Sequence, residues 1–183
     1  MRIHVAICLW ILAGVLIGGC TPLVRVEDMV LAQMAKVPIV MDKTLAVAPV
    51  RGGEPSESFF RVIANADNAE YAEALLRALR NIGLFREVLA GERGDLVLRT
   101  EIISQQTTLG SKIYTLLVHY DVRDGTNGRV LWRGNFYSDV AGSDFFTNPI
   151  DRTWLVRVRA HTVQDNLRQF TAALTDELPR SLK

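Results

Sequence analysis

The sequence predicts an α+β fold, a two-layer sandwich in which two helices cover one face of a mainly antiparallel sheet of four to five strands. Three long segments alternate apolar and polar side chains with a period of two, as strands covered on one side do. Two other segments carry apolar stripes at helical spacing. The elements follow in the order β-α-β-β-β-β-α, and both helices must bury their stripes against the apolar face of the sheet.

Length and charge restrict the class of protein. The chain has 183 residues, which suits one compact domain, and its hydrophobic content of 49% excludes wholesale disorder. Lys and Arg number 21 against 20 Asp and Glu, so the formal charge is +1. A nucleic-acid-binding surface would be basic. We therefore expect a globular protein with no nucleic-acid partner.

The amino terminus predicts a secretory signal peptide. The basic residue Arg2 precedes an apolar run over residues 5–17, and two small residues, Gly18 and Gly19, follow it. A membrane-spanning helix needs about 20 apolar residues, so this run is short for one. We predict a lipoprotein signal peptide over residues 1–19, and a single-pass membrane anchor is the alternative.

Ile17-Gly18-Gly19-Cys20 resembles the bacterial lipobox, in which an aliphatic residue and two small residues precede a modified cysteine. The resemblance implies cleavage between Gly19 and Cys20, diacylglycerol on the Cys20 sulfur and a fatty acyl chain, such as palmitate, on the new amino terminus. Each buried CH₂ contributes about 0.8 kcal/mol to such an anchor. In such lipoproteins an Asp directly after the cysteine tends to hold the protein at the inner membrane. Here Thr21 follows the cysteine, so the resemblance implies a location at the periplasmic face of the outer membrane. The alternative is a buried cysteine after an ordinary signal peptide.

Residues 20–44 form the lipidated cysteine and a short membrane-proximal segment in this interpretation, and residues 45–183 form a single periplasmic domain. Apolar residues recur at helical spacing in the first segment and stop at Pro38. They are Val26, Met29, Val30, Met34 and Val37. The spacing predicts a short amphipathic helix, either free near the membrane or packed on the core of the domain.

The domain begins with a strand, a loop and a helix. Residues 45–50 form a short apolar strand, and residues 51–66 are expected to be a loop. Asp67 begins the helix, Glu70 can complete a capping box with it, and Gly83 suits the position after its end. The apolar stripe of this helix consists of Tyr71, Ala72, Leu75, Leu79 and Ile82.

Four strands follow, at residues 85–89, 95–105, 112–123 and 129–140. The last two are joined by the hairpin turn Asp124-Gly125-Thr126-Asn127-Gly128. The inward faces of the three long strands are, in order, Leu96, Leu98, Thr100 and Ile102; Tyr114, Leu116, Val118, Tyr120 and Val122; and Val130, Trp132, Gly134 and Phe136. The alternation places Trp132 on the covered face and Leu131 on the opposite face.

A loop over residues 141–151 and a long helix at about residues 153–178 complete the chain. The helix keeps a spacing of three and four residues through Ala160, Val163, Leu167, Phe170, Leu174 and Leu178. The loop contains Phe145 and Phe146, and Trp154 follows it. Aromatic side chains favour the boundary between water and lipid. These three residues therefore predict contact with the inner leaflet of the outer membrane or a neighbouring subunit, or else a cap on the end of the core.

Four stretches resemble a known group of proteins. They are Leu45-Ala46-Val47-Ala48-Pro49; Leu75-Leu76-Arg77-Ala78-Leu79 running into Gly83-Leu84-Phe85; Gly94-Asp95-Leu96-Val97-Leu98; and Tyr120-Asp121-Val122-Arg123-Asp124 with Gly128-Arg129-Val130-Leu131-Trp132. They are similar to periplasmic lipoproteins with the fold of the amino-terminal domain of the TolB translocation protein. The group includes peptidoglycan-synthase activator, curli-secretion and Pel-export lipoproteins. The likeness covers roughly residues 45–178 and implies the same fold in the cell envelope.

Few side chains of the mature chain suggest chemistry. The two histidines, His119 and His161, lack zinc-ligand spacing, so we expect no metal and no cofactor. His119 and Asp121 share the polar face of one strand, near where Arg99 or Glu101 could lie. This set is either an acid–base pair or part of a solvated sheet face. No nucleophile motif is present, so we predict no catalytic residues.

Four arginines lie on or near the last helix, and they are Arg152, Arg157, Arg159 and Arg168. They could bind an anionic polymer or lipid headgroups, or they could form an ordinary solvated helix face.

These observations predict a non-catalytic outer-membrane lipoprotein that serves as an assembly or accessory subunit of a cell-envelope machine, such as a polymer exporter or a cell-wall synthase. It would act through protein–protein contacts with itself or an envelope partner, made by the polar sheet face and the sheet edges. The alternative is a lipid- or glycan-binding accessory lipoprotein of an envelope transporter, which needs a sizeable apolar cavity. A third hypothesis, an envelope hydrolase, lacks a nucleophile.

Overall fold

The computed structural model describes residues 26–30, 41–53, 66–108, 113–141 and 153–182. Its elements follow the predicted order after a short additional helix. They are α1 (Val26–Met29), β1 (Met41–Val47), α2 (Asn68–Ile82), β2 (Phe85–Ala90), β3 (Leu96–Thr108), β4 (Ile113–Asp124), β5 (Val130–Ala141) and α3 (Thr153–Ser181). The predicted α+β sandwich is therefore confirmed.

The five strands form one mixed sheet in the order β2-β1-β3-β4-β5. The long strands β3, β4 and β5 pair antiparallel, as predicted. The short strand β1 pairs in parallel with both of its neighbours, β2 and β3. Helix α2 joins β1 to β2, and such a crossover connection brings consecutive strands together in parallel.

The two long helices cover one face of the sheet and enclose the main core. Helix α2 buries six residues on one side, and α3 buries the whole stripe predicted from the sequence. The largest fully buried side chains of this core are Tyr71, Tyr114, Tyr120 and Phe170. Tyr120 and Phe170 stack with ring centroids 3.9 Å apart, which joins the middle of the sheet to the middle of α3.

The ends of α2 are the ones that the sequence predicts. The Asp67 carboxylate accepts hydrogen bonds from the N–H groups of Ala69 and Glu70, at 2.7 and 2.9 Å. Glu70, at the third position of the helix, pairs instead with Arg159 of α3 at 3.2 Å. Gly83 follows the helix with a φ of 66°, in the left-handed region that glycine adopts without strain.

The short helix α1 packs on the core, which confirms one of the two interpretations of its segment. Met29 is fully buried and Val30 nearly so, both within the main core. The Gln164 side chain of α3 donates a hydrogen bond to the carbonyl of Asp28 at 2.5 Å. The predicted continuation of this helix through Met34 lies outside the described residues.

The chain beyond β1 continues beside β3. Arg51 exchanges backbone hydrogen bonds with β3, from its N–H to Thr100 at 3.1 Å and from Ile102 to its carbonyl at 2.8 Å. Gly52 has a φ of 84°, and a Cβ there would lie 2.1 Å from the Ile102 carbonyl oxygen. Part of the segment predicted as a loop is therefore fixed against the sheet, and only glycine fits the close approach at residue 52.

Two β-bulges alter the simple alternation of the long strands. The first shifts the β3–β4 register between Ile102 and Ser104. The second lies at Leu131, where the β4–β5 register also shifts, and Leu131 packs partly buried against the main core. The prediction that Leu131 lies on the opposite face is wrong, because a bulge redirects the side chain of the extra residue. The prediction that Val130 lies on the covered face is also wrong, because Val130 pairs with Arg123 and lies with it on the face away from the helices. Trp132 is buried, as predicted, with 6% of its surface exposed.

Candidate functional site

The candidate site is the face of β3, β4 and β5 that points away from the helices, which we call the outer face. Strand pairing arranges its side chains in rows across the three strands. Arg99 pairs with Asp121, and Asp121 with Arg133; we call these three the Arg99 row. The next row consists of Glu101, His119 and Asn135, and we call it the Glu101 row. Directly opposed side chains of one row lie about 5 Å apart at Cβ.

Asp121 is held by an arginine of its own strand. Arg123 donates two hydrogen bonds to the Asp121 carboxylate, from Nε at 2.8 Å and from Nη2 at 2.9 Å. These hydrogen bonds hold the pKa of Asp121 below its usual value of 3.8. A carboxylate paired in this way is a weak base. Of the two sequence interpretations, the geometry therefore disfavours the acid–base pair, and Asp121 itself is buried rather than solvated, with 9% of its surface exposed.

His119 is oriented by its neighbour in the Glu101 row. Its Nδ1 atom lies 2.6 Å from Asn135 Oδ1. Because an amide oxygen only accepts, Nδ1 donates in this hydrogen bond. The ring is half-buried and Asn135 is exposed, so the pair contributes a fixed polar surface to the middle of the outer face.

A depression of about 180 Å³ lies beside these two rows, between β3, β4 and the chain that follows β1. Its lining contains both signs of charge. The charged side chains are Arg51, Glu92, Arg99, Glu101, Asp121 and Arg123, and His119 also lines the depression. Pockets for small molecules are commonly about 300 Å³ or more and mainly apolar. This depression therefore does not suit the acyl chain that the lipid-carrier alternative requires.

An apolar patch borders the Glu101 row. Leu117 of β4 pairs with Tyr137 of β5. On its other side Leu117 pairs with Ser104 of β3, and the bulged residue Ile103 lies next to Ser104. Ile103 is 51% exposed and Tyr137 is 55% exposed. Large exposed apolar side chains that lie together commonly mark a contact surface. The sequence placed Ile103 and Tyr137 on this face, but only the bulge and the strand register bring them into one patch.

The sheet edges are less open than the outer face. At the β5 edge, α3 supplies two donors: Asn166 Nδ2 to the Phe136 carbonyl at 2.9 Å, and Gln169 Nε2 to the Tyr137 carbonyl at 3.2 Å. At the β2 edge, Arg80 donates to the Val88 carbonyl at 3.2 Å. Side chains that occupy edge carbonyls hinder the addition of a further strand. The outer face is therefore the better candidate of the two predicted contact surfaces.

The arginines of α3 do not form one solvated face. Arg159 is only 4% exposed, and its guanidinium pairs with Glu70 of α2 at 3.2 Å. The interpretation as a solvated residue is wrong for Arg159, because it lies on the buried stripe, four residues before Val163. Arg157 is exposed, and Arg168 is exposed and pairs with Asp165. Arg152 lies outside the described residues.

Several predicted site residues lie outside the described part of the chain. They are Gly19, Cys20, Phe145 and Phe146, together with the side chain of Trp154. Their roles therefore stay predictions. Within the described ranges, no helix is long and apolar enough to cross a membrane, and no three potential metal ligands are grouped.

No protein-family model matches the sequence, and no curated protein matches it. Solved structures do match. A protein from Xanthomonas campestris of the family DUF330 has a TM-score of 0.59 at 13% identity, over 79% of this chain and 92% of that one. A hypothetical protein from Chlamydia trachomatis has a TM-score of 0.54 at 15% identity, over 75% and 98%. These two structures show that the chain has the same fold. The PelC dodecamer from Paraburkholderia phytofirmans has a TM-score of 0.49 at 14% identity, over 72% and 91%.

Proposed function

We propose that this protein is a non-catalytic lipoprotein, anchored through Cys20 to the periplasmic face of the outer membrane, that serves as an assembly or accessory subunit of a cell-envelope machine. The outer face is the observation that carries the proposal. It presents two rows with charged side chains beside the apolar patch of Ile103, Leu117 and Tyr137, in which Ile103 and Tyr137 are exposed. Charged and apolar groups combined in this way are typical of the surfaces through which proteins bind one another.

The amino-terminal sequence supports the proposed location. The lipobox-like Ile17-Gly18-Gly19-Cys20 implies the anchor, and Thr21 after the cysteine implies the outer membrane. Helix α1 begins at Val26 and already packs on the core. Five residues lie between the modified cysteine and Val26, and the six Cα-to-Cα steps can span at most about 20 Å when the chain is fully extended. The domain would therefore work close to its membrane.

Photo-crosslinking in cells tests the proposed contact surface. A photoreactive amino acid replaces Tyr137, which is exposed on the outer face. The matched control places the same amino acid at Ala172, which is exposed on α3. We expect protein adducts from position 137 and few from position 172. Equal yields at both positions, or no adduct at position 137, would contradict the proposed role of the outer face.

A further inference from the structure

We propose that the outer face binds a second copy of this chain. The two copies are related by a two-fold axis that runs midway between the two sheets, parallel to them and perpendicular to the strands, at the level between the Arg99 row and the Glu101 row. The inference rests on the proposed function, because it names the partner of the same surface. It follows from the order in which charges occur along β3, β4 and β5.

Rotation about this axis turns one sheet over onto the other. Each strand then lies over the same strand of the second copy, and the two charged rows exchange places. Arg99 faces Glu101 of the partner subunit, and Asp121 faces His119 of the partner subunit. By symmetry each of these contacts occurs twice. The two Arg99–Glu101 contacts therefore make the outer face complementary to itself in charge.

The other axis parallel to the sheets brings like charges together. A two-fold axis parallel to β4 exchanges β3 with β5 and leaves each row in place. Arg99 would then face Arg133 of the partner subunit, and Asp121 would face its own copy. Like charges placed opposite one another oppose association. The charge pattern thus selects the axis that is perpendicular to the strands.

The rows next to the two central rows also face complementary groups of the second copy. Beyond the Arg99 row, Arg123 pairs with both Val97 and Val130. The proposed axis places this row over the apolar patch of the second copy, so Val130 faces Tyr137 of the partner subunit. Arg123 faces Leu117 of the partner subunit, which its methylene groups can cover while the guanidinium remains on Asp121.

The central charges are available for such contacts. Arg99, Glu101 and Arg133 are exposed, and none of them forms an ion pair with another residue in the described part of the chain. Asp121 and His119 are oriented by Arg123 and Asn135. The surface is therefore largely arranged before the second copy binds, which lowers the entropy cost of association.

A charge exchange tests the inference. The mature lipoprotein is purified in detergent, and its mass is measured by light scattering over a range of concentrations. Arg99→Glu and Glu101→Arg each place like charges across the axis, so each should raise the dimer dissociation constant about tenfold or more. The double variant Arg99→Glu/Glu101→Arg restores opposite charges and should recover the dimer. Arg157→Glu is the matched control, because it makes the same charge change at an exposed position of α3, away from the outer face, and should leave the dimer dissociation constant unchanged.

Each variant is first compared with wild type by circular dichroism and thermal unfolding. If a charge-reversal variant does not fold, Arg99→Gln or Glu101→Gln is used in its place. Each of these variants removes one charge of the Arg99–Glu101 contact and should weaken the dimer less than a reversal does. A monomeric wild type at every concentration would overturn the inference, and so would a double variant no better than the single ones. In the crosslinking experiment, adducts only to a different protein would contradict the proposal that the partner is a second copy, and they would still support the proposed function. No adduct at position 137 would contradict both.

Discussion

Asn166 of α3 shows how one polar side chain can join three elements. Its Oδ1 lies 2.9 Å from the Tyr71 hydroxyl and 2.7 Å from the Tyr120 hydroxyl, and these hydroxyls are 2.5 Å apart. Its Nδ2 donates to the Phe136 carbonyl at 2.9 Å. The burial of both tyrosines raises their pKa values well above the usual 10, so both hydroxyls stay protonated and can donate.

Removal of this side chain should be costly. In Asn166→Ala the two hydroxyls and the Phe136 carbonyl lose a buried partner. We expect the free energy of unfolding to fall by about 2–3 kcal/mol, since an unsatisfied buried polar group costs about 1–3 kcal/mol. Denaturant titration measures this loss. Asn135→Ala, the same change on the exposed outer face, should stay within about 0.5 kcal/mol, and equal losses for both variants would refute the network.

The pairing of Asp121 with Arg123 predicts a dependence of stability on pH. The pKa of Asp121 is lowered in the folded state, so its contribution is present above the unfolded value of 3.8 and is lost as the pH falls through the lowered folded value. Asp121→Asn removes the ion pair and should reduce stability at about pH 7, with a smaller acid loss than wild type. Chemical unfolding at about pH 7 and about pH 3 measures both effects. Asp139→Asn, on the same face, is the control, and an unchanged acid profile in Asp121→Asn would contradict the pairing.

At the scale of the elements, the register of each strand determines which of its side chains are buried, and β5 is the clearest case. Trp132 packs near Phe136 and Phe170, and its Nε1 donates to Glu177 of α3 at 2.7 Å. Trp132→Ala should lower the free energy of unfolding by about 3–5 kcal/mol, as for a large buried aromatic side chain. Tyr137→Ala on the other face should cost less than about 1 kcal/mol. Comparable losses in denaturant titrations would place the register one residue off.

The alternation of apolar residues was enough to place Trp132 on the covered face. The residue types at the ends of α2 predicted its caps, and the spacing of three and four residues predicted the buried stripe of α3. None of these patterns could predict the bulges at Ile103 and Leu131, because a bulge depends on which residues of two strands are opposed. The parallel pairing of β1 was missed for the same reason. The partners of Asn166 lie 95 and 46 residues away in sequence, at Tyr71 and Tyr120, so no local pattern contains them.

At the scale of the whole molecule, α2 and α3 cover one face of the sheet, and Arg99, Glu101 and Arg133 are exposed on the outer face. The sequence indicated that face from its alternating polar residues, and it identified four of its central members, Arg99, Glu101, His119 and Asp121. It did not indicate that strand pairing arranges them in two rows of complementary charge, because the rows depend on the register of three strands. It also did not indicate that Arg159 is buried against Glu70.

The central claim is that a lipid on Cys20 holds this domain in the envelope. Labelling cells with a clickable palmitate analogue, followed by membrane fractionation, tests it most directly. We expect wild type to be labelled and to fractionate with the outer membrane, and Cys20→Ala to be unlabelled and to remain an uncleaved precursor. Cys8→Ala is the matched control, because Cys8 lies in the segment that cleavage removes, and it should be labelled like wild type. A Cys20→Ala protein that is processed, labelled and fractionated normally would contradict the account.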